Sequence, residues 1–259
     1  MKTKYIEYNT NRTALIKETL TLLDLYVKYE DWKRVGKDVY ELNVLMKNSK
    51  AMQDKIYSII KKRYIGSESE FSITPFIKIA NSKLPIEIKS QCMYFEFGSK
   101  DPLVLDIASG VLFERYKNGY NSVSKEHIEE FLKKQEKEHS ELKSWAVTTR
   151  ARFIRHYLST IKEFGTLKGS LIKEFNKPYL PVESFLYMLH SISEKTNNNR
   201  EILTAIEWHL FLMDADDVKV SLRDAGKQGY LSFEEKGNTV SINLQHKSLE
   251  EFTNAIIRT

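Results

Sequence analysis

Residues 140–167 read SELKSWAVTTRARFIRHYLSTIKEFGTL, and their spacing decides the class of fold. Val147, Ala151, Ile154, Leu158 and Ile161 recur at intervals of three and four, the period of a helix with one apolar seam. Thr148, Arg152 and Arg155 then fall together about 100° from the seam, at about 3.6 residues per turn. Arg150 lies nearer the seam, where an arginine snorkels or pairs internally. From 141 to 178 eight bases face three acids, so the segment is a long, cationic, amphipathic helix with basic flanks.

The chain around it follows the same pattern. Only 10 Gly and 5 Pro punctuate 259 residues, and 41% of the chain is hydrophobic, which predicts a mainly α, folded protein. The polar or Pro-bearing stretches GSESEFSITPF (66–76) and NKPYLP (176–181) divide it into three units, 1–66, 67–178 and 179–259. In the first, Leu15, Thr19, Leu22, Leu23 and Tyr26 share one helix face, and Trp32, Val35, Val39 and Leu42 another. Asn48 and Ser49 cap a third helix that turns Met52, Ile56, Ile59 and Ile60 inward and Lys50, Gln53, Lys61 and Lys62 outward. The central unit adds helices over 86–97, 102–116, with Pro102 at its first position, and 124–137, opened by Ser-x-x-His, before the long helix near 141–164.

The third unit changes period. Helices are expected over 182–193 and 201–213, then from a cap at Asp214 through Lys227, with Val218, Leu222 and Ala225 buried. Leu231 and Phe233, then Val240, Ile242 and Leu244, alternate with polar neighbours across EEKGN, which predicts a β-hairpin. This is the order of a winged helix-turn-helix exposing Lys219, Arg223 and Lys227 on its recognition helix and Lys236 at the wing tip. A helical pair with an edge hairpin fits the same pattern.

Most catalytic chemistry lacks its usual supports. There is no Walker glycine loop, no GxGxxG and no GxSxG elbow. The six histidines form neither HExxH nor HxH, and the single cysteine, Cys92, excludes an internal disulfide and a Cys-rich zinc site. Glu129, Glu130, Glu136 and Glu138 are interleaved with Lys133, Lys134 and Lys137, the signature of a solvated face, not of paired catalytic carboxylates. Cys92 sits in the apolar KSQCMYFEF and reads as a buried, inert thiol; Trp32, Trp145 and Trp208 read as core anchors. Apolar runs stop well short of the roughly 20 residues that cross a bilayer, and the polar start MKTKYIEYNTNR has no signal-peptide core, so a cytoplasmic, non-enzymatic protein with no cofactor, metal or small-molecule substrate is expected.

Charge is the remaining signal. The net charge of +5 is modest, yet residues 47–63 carry six bases against one acid, and 141–178 repeat that surplus. Phosphate is the simplest counterpart of such segments, with Ser49, Gln53, Thr148 and Thr149 available to fix register.

Four stretches carry a family resemblance: TALIKETLTLLDLYVKYEDWKRVGKDVYELNVL (13–45), NSKAMQDKIYSIIKKRY (48–64), the 140–167 segment, and IEWHLFLMDADDVKVSLRDAGKQGYLSF (206–233). The chain resembles the BrxA family, components of bacteriophage exclusion (BREX) defence systems, and differs in a polar insert around 66–84. The resemblance implies a helical, non-catalytic protein of winged helix-turn-helix-like units that binds double-stranded DNA beside other BREX proteins, and a likeness to the RNA-binding protein NusB. Carried onto this chain, it favours Lys50, Gln53, Lys61 and Lys62 in the first unit, Thr149, Arg152 and Arg155 in the second, and Lys219, Arg223 and Lys236 in the third. An RNA-binding protein and a protein-protein scaffold within the defence complex are the alternatives.

Overall fold

The computed structural model describes residues 4–6, 10, 12–66, 74–196, 198–237 and 239–258. Local chemistry sets the first three helices. α1 (Ile16–Tyr29) stops where Glu30 adopts a left-handed conformation, and α2 (Trp32–Glu41) starts where the Asp31 carboxylate accepts the Lys33 amide at 2.7 Å. α3 (Lys50–Ile60) starts at Ser49, whose hydroxyl accepts the Met52 amide. A π-helical turn, Lys61–Ile65, continues α3 and carries Arg63 and Tyr64 into the interior.

α4 (Pro75–Asn81) leads to α5 (Ile86–Lys100), which is buried on nearly every side from Gln91 to Gly98 and forms the centre of the molecule. Its Glu96 is buried but paired, 2.5 Å from the Lys100 ammonium and accepting the Tyr187 hydroxyl at 2.7 Å. Gly98 permits a close approach: a Cβ there would lie 2.5 Å from a Leu210 methyl. Cys92 is buried, and burial pushes its thiol pKa well up, as the inert reading requires.

The next helix begins at Pro102 as expected, capped by Asp101, but is interrupted: α6 (Pro102–Ile107), a π-helical turn (Ala108–Phe113), then α7 (Glu114–Lys117). Strand β1 (Ser122–Val123) precedes α8 (Lys125–Gln135), where Ser124 and His127 form the expected reciprocal cap. A 3-10 turn (Ser140–Ser144) leads into α9 (Val147–Glu163), followed by β2 (Leu167–Lys168) and β3 (Lys173–Phe175). These strands form an antiparallel sheet of order β1-β3-β2, extended by the Phe175 amide to Asn121 O and the Asn176 amide to Thr166 O, both 2.9 Å. This sheet has no counterpart in the sequence expectation, because strands of two or three residues carry no period to read.

α10 (Val182–Ser193) spans the residues expected of it. The helix expected over 201–213 divides into α11 (Asn199–Leu203) and a 3-10 segment (Ile206–Phe211), with the Trp208 indole N–H donating to the Ile202 carbonyl at 2.7 Å across the break. α12 (Ala215–Lys227) has a capping box at Asp214 and Asp217, and β4 (Leu231–Lys236) pairs with β5 (Thr239–Leu244) in the expected hairpin, ahead of α13 (Leu249–Ile256). The fold is mainly α, and one hydrophobic cluster runs from Tyr5 to Ile256 through all three segments.

His190 of α10 is buried and stacks on Phe252 of α13, with ring centroids 5.0 Å apart. Burial and the neighbouring His246 push its pKa down to about 4, against the favourable charge of Glu251. The folded pKa is therefore below the unfolded one, so this stabilisation is present above about pH 6.5 and is lost as pH falls toward 4. The urea midpoint is expected to drop over that window by the equivalent of up to about 3 kcal/mol, and His190→Gln should flatten the drop.

Candidate nucleic-acid interface

Residue by residue, α9 presents a different seam from the one read in the sequence. Its buried residues are Arg150, Phe153, Ile154, Tyr157, Leu158, Thr160 and Ile161, whereas Val147 is 84% exposed and Ala151 is exposed. The seam is rotated at the first turn because Arg150 takes the inward place. Its guanidinium lies 2.6 Å from Glu136 and 3.6 Å from Glu129, and Nη2 also donates to the Leu142 carbonyl. Two of the glutamates read as a solvated face therefore hold α9 in place, and Arg150 is the internally paired arginine its phase suggested.

Arg152 and Arg155 are exposed on the opposite side, with Thr149 half-buried beside them. Two other parts of the chain converge there. Lys55 of α3 is half-buried, and its pKa is lowered by burial and by the charges of Arg12 and Arg152. His156, one turn along α9, is shifted down by burial, then by Arg155, Arg12, Arg152 and Lys55. Arg12 is anchored through its backbone: its carbonyl accepts from Arg63 Nη2 at 3.1 Å and from the Thr160 hydroxyl at 3.3 Å. Its Nε is buried with no hydrogen-bond partner.

Arg12, Lys55, Arg152 and Arg155 thus form one like-charged cluster, with His156 among them held toward its neutral form. None of the five has a carboxylate within ion-pair distance among the described residues. Such an arrangement opposes folding through repulsion and favours an anion. The cationic stripe continues along the helix. Lys162 lies seven positions beyond Arg155, on the same face, and its charge, after burial, lowers the pKa of Lys173 in β3.

The other expected residues fare differently. Gln53 corrects the outward reading: it is buried, because its amide donates to Asn43 Oδ1 at 2.6 Å and so closes the turn ahead of α3. Lys50 and Lys62 are exposed and Lys61 is half-buried. Part of the surplus charge of 47–63 is spent internally, since Lys47 pairs with Glu18 at 2.7 Å and Arg63 faces the core. In the third segment Lys219 pairs with Glu235 (2.8 Å) and Asp216 (3.4 Å), Arg223 with Glu235 (3.4 Å), Lys227 with Asp224 (2.9 Å) and Lys236 with Glu234 (3.2 Å). Those bases are matched by acids on their own helix and hairpin. The sequence reading omitted Arg12, Lys55, His156 and Lys162 from the site, and only the two bases within already basic helices, Lys55 and Lys162, left any signal.

Among the described residues no helix is long and apolar enough to cross a membrane, and no group of three or more His, Cys, Asp or Glu could hold a metal. Fold and surface together define a mainly helical protein with an unneutralised cationic face built on α9 and completed by α3 and the segment before α1. The BrxA family model matches residues 3–191, and the chain belongs to this family of BREX components. No curated protein matches the chain. A solved structure of an uncharacterized protein from Magnetospirillum magneticum is similar in fold, with a TM-score of 0.62 at 11% identity over 79% of this chain and 98% of that one.

Proposed function

We propose that this protein is a non-catalytic, double-stranded-DNA-binding accessory component of a BREX phage-defence system, acting in the cytoplasm beside other defence proteins. The observation that carries this reading is the unpaired cluster of Arg12, Lys55, Arg152 and Arg155 around His156, set against the neutralised bases of α12. The order helix α6–α7, β1, α8, α9, β2, β3, with strand order β1-β3-β2, supports a winged helix-turn-helix reading of the central segment. In that reading α9 is the helix laid against DNA and the β2–β3 hairpin is the wing. Arginines and lysines then grip phosphates, with Thr149 beside them on α9, and base selectivity is weak because the face offers few amide or carboxylate groups to base edges.

Affinity for a random duplex of about 30 base pairs, titrated from low to near-physiological salt, tests this directly. A slope of roughly 0.9 in log affinity per phosphate neutralised is expected, with poor competition from single-stranded RNA of equal length. Stronger binding to the RNA would favour an RNA-binding role, and no binding at low salt would move the basic face to a protein partner.

A further inference from the structure

The tip of the β2–β3 hairpin is apolar and fully presented. Leu171 is 100% exposed and Ile172 65% exposed, adjacent in sequence at the apex of the turn. Scattered exposed aliphatics are ordinary, but two together at the end of a projecting hairpin form a wedge. The turn that carries them is closed by specific local chemistry. Gly169 sits at φ 84°, and a Cβ there would lie 2.3 Å from the Ile172 carbonyl oxygen, so only glycine closes it. The Lys173 ammonium donates back to the Gly169 and Ser170 carbonyls, at 3.2 and 2.6 Å.

Its base is cationic and continuous with the α9 face. Burial and then the charge of Lys162 lower the pKa of Lys173, and Lys168 lies opposite Glu174 in the strand register, offset in part by it at 3.8 Å. An apolar tip between lysines matches a duplex groove, where phosphates line the rims and stacked bases offer an apolar step between them.

Resting on the duplex-binding reading, we propose that Leu171 and Ile172 insert into the minor groove beside the segment held by α9, partly unstacking a base step and bending the DNA. The bend would bring more backbone onto Lys162, Lys168 and Lys173. The test compares the native protein with Leu171→Ser/Ile172→Ser on duplexes carrying 2-aminopurine at successive steps and a donor–acceptor dye pair at the ends. Native protein is expected to raise 2-aminopurine emission at one step and shorten the end-to-end distance. The double variant, its folding checked by circular dichroism, should lose both signals, about tenfold in affinity and the part of the salt slope that the bend adds through Lys162, Lys168 and Lys173.

Equal bending and emission with the double variant would overturn the wedge while leaving duplex binding intact. No duplex binding by the native protein would overturn the underlying reading instead. Flotation with phosphatidylcholine–phosphatidylglycerol vesicles is the remaining arm: capture of the native protein but not the variant, with DNA bending unchanged, would assign the tip to a membrane surface and refute the proposal.

Discussion

Replacing Arg152 and Arg155 together by Glu is expected to lower duplex affinity at moderate salt by about two orders of magnitude and to reduce the salt slope by roughly 2. Both guanidiniums are exposed on α9 and face no carboxylate among the described residues, so each is free to displace a counterion from a phosphate. Reversal removes two contacts and sets two negative charges against the backbone. The same change should leave the thermal midpoint unchanged or raise it, since Arg152 now repels Lys55. That sign separates a binding role from a structural one: a residue needed for folding would lower affinity and midpoint together. Lys219→Ala/Arg223→Ala is the matched control, because those bases already share Glu235. Binding assays across salt, with differential scanning calorimetry on each variant, check the whole set.

Arg63→Met is expected to cost about 3–5 kcal/mol of stability, read from urea denaturation. Its guanidinium is buried and donates to three successive carbonyls, Arg12 (3.1 Å), Thr13 (3.0 Å) and Ala14 (3.2 Å), while lying over the Phe97 ring at 4.6 Å. Burial lowers its pKa, and Asp101 and Glu163 oppose that effect, so the charge is retained in the interior by partners that would be left uncompensated. Removing it orphans carbonyls that are partly or wholly shielded from water, each a penalty of about 1–3 kcal/mol that does not simply add. Arg63→Lys should recover little, because one ammonium cannot reproduce a planar fork reaching three oxygens. The substitution should also weaken DNA binding, since Arg63 and Thr160 fix the backbone that carries Arg12 into the cationic cluster. An unchanged urea midpoint would show that the 12–14 segment is held by other means, such as the Ala14 amide to Glu163 at 2.9 Å.

The helical class was legible wherever short-range chemistry decides structure. Ser49, Ser124 and Asp214 cap helices as read, α10 keeps its expected span, and the β4–β5 hairpin follows from its two-residue period. Phase was less secure. Val147 and Ala151 belong to the apolar set of α9 by spacing, yet Arg150 displaces them, because a cation with two glutamates from α8 and its C-terminal turn can be buried where periodicity expects an aliphatic. Gln53 turned inward for a comparable reason, an amide matched to Asn43.

By itself the sequence determined a mainly α chain, its main helix caps, its terminal hairpin and the presence of two base-rich segments. Caps, turns and amphipathic periods depend on residues within about four positions of one another, so they are written locally. Which bases remain unneutralised was decided only by tertiary structure. Arg12, Lys55 and Arg152 are remote in the chain and come together because Arg63, just after α3, and Thr160 of α9 both hold the Arg12 carbonyl, whereas Lys219 and Arg223 are cancelled by a hairpin glutamate folded back onto α12. Coulomb energy depends on distance through space, and a sum of charges along a chain carries no record of that distance.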